Sequence, residues 1–469
     1  MNIDSASIVD GKDIYTDVLI VGSGISGCTI AAEMKIPGSV CILEGGGQPG
    51  NILPNEDVFI SGIDYPVADS RALQIGGSAD KWAGYCAAFD KEDFAEHSWI
   101  PDSGWPIESS ELTDYYPAAA ERLNIPAPGF SPSALELGVG DFPFSDDRLE
   151  HGLWRFGSQQ LNVKTLLSGI KKKEGIRLIY DAKAADLVCS KNENRISKVE
   201  YRTSKGRRGY IHADIIVLAT GGIETPRLLL NSRSTYPFGV GNEHGQVGRY
   251  FMEHPHFTLE GFSLENSKVF QSSWLSRAKN ESQQEYMSNL GFSFDSRKAN
   301  SLLNFRAHIF RTPQMCLDDA PRVGIFMEQA PNPDSTVTLS ESRDRYGMCE
   351  ARLNWQLSDM EWHNYYEIHD VLAENFLSVG ATRKAASADR SVRNYAGLMH
   401  SNHQLGTTRM SNRPQDGVVN ADCKVHGLDN LYIVGGSVFR TVSWANPTLT
   451  VVALSLRFVK HMNKTGGKS

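Results

Sequence analysis

The apolar positions of this chain fall into a few short, unbroken runs. Val18-Leu-Ile-Val21, Val40-Cys-Ile-Leu43 and Ile215-Ile-Val-Leu218 each have four consecutive apolar residues. Runs of this length predict strands buried on both faces, as in a parallel sheet covered by helices. A helix is predicted over Ile25 to Met34, between the first two runs, and another over Ile223 to Asn231, with Pro226 early in it. Gly175 to Tyr180 and Ala185 to Cys189 read as strands, and Arg195 to Arg202 with Gly209 to His212 as a meander. Asp102 to Ile107 is a turn before a helix over Glu111 to Leu123, capped by Ser109 or Ser110. Pro126 to Pro143, rich in Pro, Gly and Ser, reads as an extended excursion. From Phe251 to Arg393 the texture changes to alternation. Thr336 to Leu339 and Cys349 to Trp355 predict antiparallel strands, and Ser358 to Leu377 an amphipathic helix capped by Ser358 with Glu361. The tail predicts a strand over Val425 to Val434, a glycine turn at Gly435 to Phe439, and a helix reaching about His461 with Asn446 as N-cap and Pro447 at N1. The result is an α/β chain in which 1–250 joins 394–469 as one domain, with an irregular excursion over 110–150, and 251–393 forms a second.

Charge and cysteine content narrow the classes. The 469 residues are 41% hydrophobic and 22% charged, ordinary for a globular protein with a large core. A net charge of -8 argues against a nucleic-acid binder. The seven cysteines are dispersed and contain no Cys-x-x-Cys, so no zinc site is indicated, and reduced thiols in a cytoplasmic protein are expected. Met1 to Tyr15 has no apolar core of a signal peptide, and no apolar run is long enough to cross a bilayer.

The glycines carry the chemistry. Gly22, Gly24 and Gly27 follow the first strand in the order Gly-x-Gly-x-x-Gly, and Glu44 ends the next strand. The first glycine allows the tight turn, the second lets a pyrophosphate lie against bare backbone, and the third lets helix and strand pack closely. The helix N-terminus faces the phosphates, and Glu44 is placed to accept hydrogen bonds from a ribose diol. Further glycine turns stand at Gly76-Gly77-Ser78, before Trp82-x-Gly84, at Ala219-Thr-Gly-Gly222, and at Gly435-Gly436. Several separated turns imply one long ligand crossing several loops, which fits FAD better than NAD.

With these pieces in order, the chain resembles the glucose-methanol-choline (GMC) flavin oxidoreductase family. The resemblance rests on Gly22-x-Gly24-x-x-Gly27 with Glu44, Gly76-Gly77-Ser78 through Trp82-x-Gly84, and Ala219-Thr-Gly-Gly-Ile-Glu-Thr-Pro-Arg227. It continues through Val247-Gly-Arg-Tyr-Phe-Met-Glu-His254, His403-x-x-Gly406-Thr407-x-x-Met410 and Asn446-Pro-Thr-Leu-Thr450. It implies a doubly wound, Rossmann-like FAD domain and a substrate domain with an antiparallel sheet over the flavin, an architecture shared with p-hydroxybenzoate hydroxylase. The cofactor positions it implies are Gly22, Ser23, Gly24, Ser26, Gly27 and Glu44 at the first turn, and Gly76, Gly77, Ser78, Trp82 and Gly84 at the second. Ala185, Ala219, Gly221, Gly436, Asn446, Pro447 and Thr448 complete the set.

The resemblance also implies oxidation of an alcohol on a sugar, aminosugar or cyclic polyol, with oxygen or another acceptor taking the electrons onward. The family pairs a catalytic histidine with a second His or an Asn. Here His403 takes the first position and Asn446 the second, His403 as general base and Asn446 orienting the substrate oxygen. His400 lies three residues earlier, but Gly406-Thr407 fixes the register on His403. Asp80-Lys81 stands before Trp82, where some sugar oxidases carry a flavin-linking histidine, so non-covalent FAD is expected. Gly435 replaces a usual Asp and Arg440 a usual Pro. His254-x-His256 has no evident third ligand, so no metal is expected. A flavin lyase without net redox and a non-catalytic flavin-binding protein are the alternatives.

Overall fold

The structure is a computed structural model that describes residues 2–3, 12–35, 38–50, 57–125, 144–157, 163–171, 173–190, 194–259, 262–263, 275–280, 283–310, 322–383, 393 and 397–466. The Pro-rich stretch 126–143, read above as an excursion, lies outside them. The four-residue apolar runs form the centre of the first sheet. Among the described residues its strands run in the order Asn2–Ile3, Ile176–Ile179, Val40–Leu43, Ile14–Val21, Arg208–Leu218, Ile196–Thr203, Ala182–Cys189, with Leu431–Ile433 also on Arg208–Leu218. Every pair as far as Arg208–Leu218 is parallel, as is Leu431–Ile433, whereas Ile196–Thr203 and Ala182–Cys189 are antiparallel additions. Val18 to Val21 are all buried, as an unbroken apolar strand demands. Helix Ile25–Glu33 packs against Thr448–Thr465, so the two ends of the chain share one core.

A second, antiparallel sheet runs His256–Leu259, Arg322–Met327, Phe305–Phe310, Glu285–Phe292, Leu149–Phe156, Tyr85–Cys86, with Arg277–Lys279 on Glu285–Phe292. Two of its strands come from the N-terminal half of the chain. Thr336–Arg343 and Cys349–Asn354 pair as predicted, but with Val58–Ile60 in a separate three-stranded sheet. Helix Asp359–Ser378 carries the expected capping box, with Ser358 and Glu361 bonding reciprocally.

Three local expectations are corrected. The helix placed over Glu111 to Leu123 is two short helices, Ser110–Thr113 and Tyr116–Arg122, because Pro117 lacks the N–H needed to continue a ladder. The strand placed over Val425 to Val434 is only Leu431–Ile433. Before it the chain reverses, Val425 N–H donating to the Leu431 carbonyl and Gly427 having φ +75°. The last helix begins at Thr448 with Pro447 preceding it, and no side chain caps it. Asn446 is therefore not the N-cap, and its amide is directed elsewhere.

Candidate active site

A single cavity of about 620 Å³ runs beneath the glycine turns and ends at the antiparallel sheet. At the first turn Gly22 has φ +99°, and a Cβ there would lie 2.5 Å from the Ala219 carbonyl oxygen, so this turn and the Ala219–Gly222 turn touch through bare backbone. Gly24 precedes helix Ile25–Glu33 and lines the cavity, where a Cβ would meet no atom within 4 Å. That leaves a helix N-terminus open on the cavity, the arrangement that receives a phosphate.

Glu44 is buried, and both its oxygens serve the turn. One accepts from the Ser23 amide at 2.9 Å and the Ser23 hydroxyl at 2.7 Å, the other from the Gly46 amide at 2.7 Å. Burial raises its pKa. Beside it, Lys183, Tyr346 and Arg71 line the same end of the cavity. Lys183 Nζ bonds Asp57 at 2.9 Å and Glu224 at 3.0 Å; Arg71 reaches Glu224 at 3.0 Å; Arg227 reaches Asp344 at 2.7 Å and also bonds Asp57. Three cations thus meet three carboxylates out of water. Burial opposes the charge on Asp57, but Arg71, Lys183 and Arg227 outweigh it and hold its pKa far below the usual range. Tyr346 is 8% exposed, and its buried hydroxyl has no hydrogen-bond partner among the described residues.

At the other end His403 stands between two partners. Its Nδ1 is 2.8 Å from His254 Nδ1, and its Nε2 is 3.4 Å from Asn446 Nδ2. His254 Nε2 lies 2.9 Å from the Ser443 carbonyl. Behind both rings is Glu253, fully buried, accepting from the His254 amide at 2.7 Å, the His403 amide at 2.9 Å and the Tyr65 hydroxyl at 2.9 Å. Burial pushes Glu253 up to about 8 and His254 down to about 4, and burial with the neighbouring His254 lowers His403 well below the usual imidazole range. His256, His308 and Phe326, from the antiparallel sheet, form the far wall, with the His256 and Phe326 rings stacked at 4.3 Å. Ligand atoms of Glu253, His254 and His403 lie within 4.8 Å of one another. The 2.8 Å between the two Nδ1 atoms is a hydrogen-bond length, shorter than the roughly 3.3 Å that separates two tetrahedral ligands of a zinc ion.

Of the predicted positions, Gly22, Gly24, Ser26, Glu44, Gly77, Ser78, Trp82, Ala219, Gly221, His403, Gly436, Asn446, Pro447 and Thr448 line this cavity. Ser23, Gly27, Gly76, Gly84 and Ala185 do not. Ser23 bonds Glu44 and accepts from the Gly76 amide, and Gly27 packs on the Gly22 carbonyl, so these shape the turn. Lys183 and Ala184 line the cavity in place of Ala185, which sits at the irregularity between Ala184 and Asp186. The sequence reading did not single out Glu253, His308, Phe326, Lys183 or Tyr346, and weighed His254 and His256 as a metal pair without a third ligand.

The residues fit FAD. The cavity joins an open helix N-terminus and a strand-end carboxylate to a histidine-lined chamber, and Tyr346 supplies an orphaned buried hydroxyl at the carboxylate end. Among the described residues no helix is long and apolar enough to cross a membrane.

Comparison with known proteins agrees. The family model described as FAD dependent oxidoreductase matches residues 17–249, and the one described as GMC oxidoreductase matches residues 331–455. The chain is 25% identical to 2-methyl-1,2-propanediol dehydrogenase of Mycolicibacterium austroafricanum over 94% of each chain. It is 24% identical to paromamine 6'-oxidase of Streptomyces fradiae, over 96% of this chain and 91% of that one. Among solved structures, pyridoxine 4-oxidase from Mesorbium loti superposes with a TM-score of 0.62 at 17% identity, over 96% of this chain and 99% of the other, a likeness of fold. With motifs, cavity and both halves of the chain in agreement, the protein belongs to the glucose-methanol-choline flavin oxidoreductases, and its cofactor is FAD.

Proposed function

We propose that this protein oxidises a primary or secondary alcohol on a sugar, aminosugar or cyclic polyol, with His403 as the general base. Alcohol oxidation removes a proton from O–H and a hydride from C–H. Non-covalently bound FAD supplies the acceptor for the hydride. The observation that carries the proposal is the pair of His403 Nε2 and Asn446 Nδ2, 3.4 Å apart on the wall of the FAD cavity. A hydroxyl held between them gives its proton to His403 and is oriented by the Asn446 amide, which donates to the oxygen as negative charge builds there. Burial keeps His403 unprotonated near neutral pH, the state a base requires. Helix Thr448–Thr465 opens on the cavity beside Asn446, and its N-terminal partial charge favours negative charge at that end. The far wall of His256, His308 and Phe326 offers ring faces and imidazole nitrogens to a cyclic substrate.

Histidines of the chamber come from the antiparallel sheet and the tail, whereas the loop before Trp82 offers Asp80 and Lys81, which supports non-covalent FAD. The test is anaerobic mixing with a panel of cyclic polyols and sugars while flavin absorbance is followed. A substrate should bleach the wild type, and His403→Ala should slow bleaching on the order of 10²–10⁴-fold with FAD retained. Bleaching by no alcohol, or near-normal reduction in the variant, would reject the proposal.

A further inference from the structure

We propose that His254 is a positioning residue: anchored on the Ser443 carbonyl, it fixes His403 as the Nδ1–H tautomer and leaves Nε2 bare toward Asn446 and the cavity. This rests on the reading of His403 as the base.

The argument is a count of hydrogens along one chain of contacts. The Ser443 carbonyl can only accept, so His254 Nε2, at 2.9 Å, carries the hydrogen. A neutral imidazole has one N–H, so His254 Nδ1 is bare. The 2.8 Å contact between the two Nδ1 atoms must hold one hydrogen, and His403 supplies it. A neutral His403 with hydrogen on Nδ1 then presents a lone pair at Nε2, on the side of Asn446. Both rings are kept neutral by burial, which leaves no second N–H on either.

The anchor is built to stay in place. Ser443 holds φ +57°, a left-handed conformation that a non-glycine residue keeps only where its surroundings hold it there. Its hydroxyl donates to Asp93 Oδ2 at 2.7 Å, and the next residue, Trp444, donates from Nε1 to Asp90 at 3.2 Å. The strained residue is therefore held from two sides, with its carbonyl aimed at His254. The His254 and His403 backbones are fixed together as well, since both amides donate to Glu253. The rings meet edge to face, centroids 4.9 Å apart and planes at 89°. Without the anchor His403 would sample both tautomers, and the one with hydrogen on Nε2 cannot take a proton there. In a catalytic triad the third residue orients its histidine by the same logic.

The direct test is long-range nitrogen–proton NMR on the FAD-loaded protein with 15N-labelled histidine, the His403 signals being assigned by their loss in His403→Gln. We expect His403 with a protonated Nδ1 and a bare Nε2, and His254 with a protonated Nε2. A His403 protonated at Nε2 overturns the proposal. In parallel, His254→Phe should slow anaerobic flavin reduction on the order of 100-fold with FAD content unchanged. His254→Gln, whose amide accepts from His403 and donates to Ser443, should recover part of that loss. Equal rates for wild type and His254→Phe, or no difference between Phe and Gln, would also overturn it. If NMR shows the bare Nε2 but His403→Ala still reduces flavin normally, the tautomer assignment stands and the base assignment falls.

Discussion

Glu253→Gln is a near-isosteric change at a buried carboxylate whose pKa is raised by burial. One Glu253 oxygen accepts from the His254 and His403 amides at 2.7 and 2.9 Å, and the other accepts from the Tyr65 hydroxyl and, in a shared bond, the His403 amide, both at 2.9 Å. A glutamine keeps the first two bonds through its oxygen and can donate its N–H to the Tyr65 oxygen. Burial raises Glu253 from 4.5 to about 8. Below pH 4.5 folded and unfolded chains are both protonated there, and no penalty exists. Between 4.5 and 8 the unfolded chain loses the proton while the folded one keeps it, so stability falls by about 1.4 kcal/mol per pH unit. Above 8 the penalty is complete, with a ceiling of about 5 kcal/mol for a shift of this size. The variant has no such term. Urea unfolding at saturating FAD, from pH 4.5 to 9, should show Glu253→Gln at or slightly below wild type at the acid end and gaining steadily as pH rises. Taking the difference between the two proteins cancels the titration of other buried groups. A difference that stays flat from pH 5 to 8 would refute the reasoning, since the carboxylate would then titrate alike in both states.

Three further outcomes follow from the geometry. Gly22→Ala, with a Cβ forced to 2.5 Å from Ala219 O at φ +99°, should lower stability by about 1–3 kcal/mol and strip flavin; the 450 to 280 nm absorbance ratio checks it, and full flavin content would contradict it. Tyr346→Phe should weaken FAD binding about 5-fold to 10-fold in fluorescence titration of the apoprotein, with unfolding of the apoprotein unchanged; equal affinity would show that the hydroxyl makes no cofactor bond. Arg227→Met leaves Asp57 and Asp344 short of a cation and should cost about 3–5 kcal/mol in urea unfolding, part of which Asp344→Asn should restore; an unchanged midpoint would mean that the cluster tolerates the loss.

What could be read from the sequence was what local sterics and burial dictate. Val18 to Val21 could only be a covered strand, Gly22 could only be a turn, and Ser358 with Glu361 is a cap written in four residues. The FAD cavity followed from those turns. The misses are non-local. Thr336–Arg343 and Cys349–Asn354 were legible as strands, but the pairing of the second with Val58–Ile60 joins Ala351 to Val58, far apart in the chain. Ala185 sits at an irregularity in the pairing with Ile196–Thr203, which only the tertiary structure reveals. Asn446 was read as a cap because Asn before Pro suits a helix start, and tertiary contact with His403 took its amide instead. His254 meets His403 across 149 residues, a contact with no local signature.

The six-charge cluster has a consequence for the order of assembly. Its members come from residues 57, 71, 183, 224, 227 and 344, and the sheet beside it takes Leu431–Ile433 as a late strand. During synthesis the glycine turns emerge early, yet the last carboxylate emerges only after residue 344. A nascent chain ending at residue 250 carries three cations of the cluster against two acids, and lacks both that strand and the helix that packs on Ile25–Glu33. The nucleotide-binding half is therefore not a separable module: it is first in the sequence and among the last parts of the molecule to be finished.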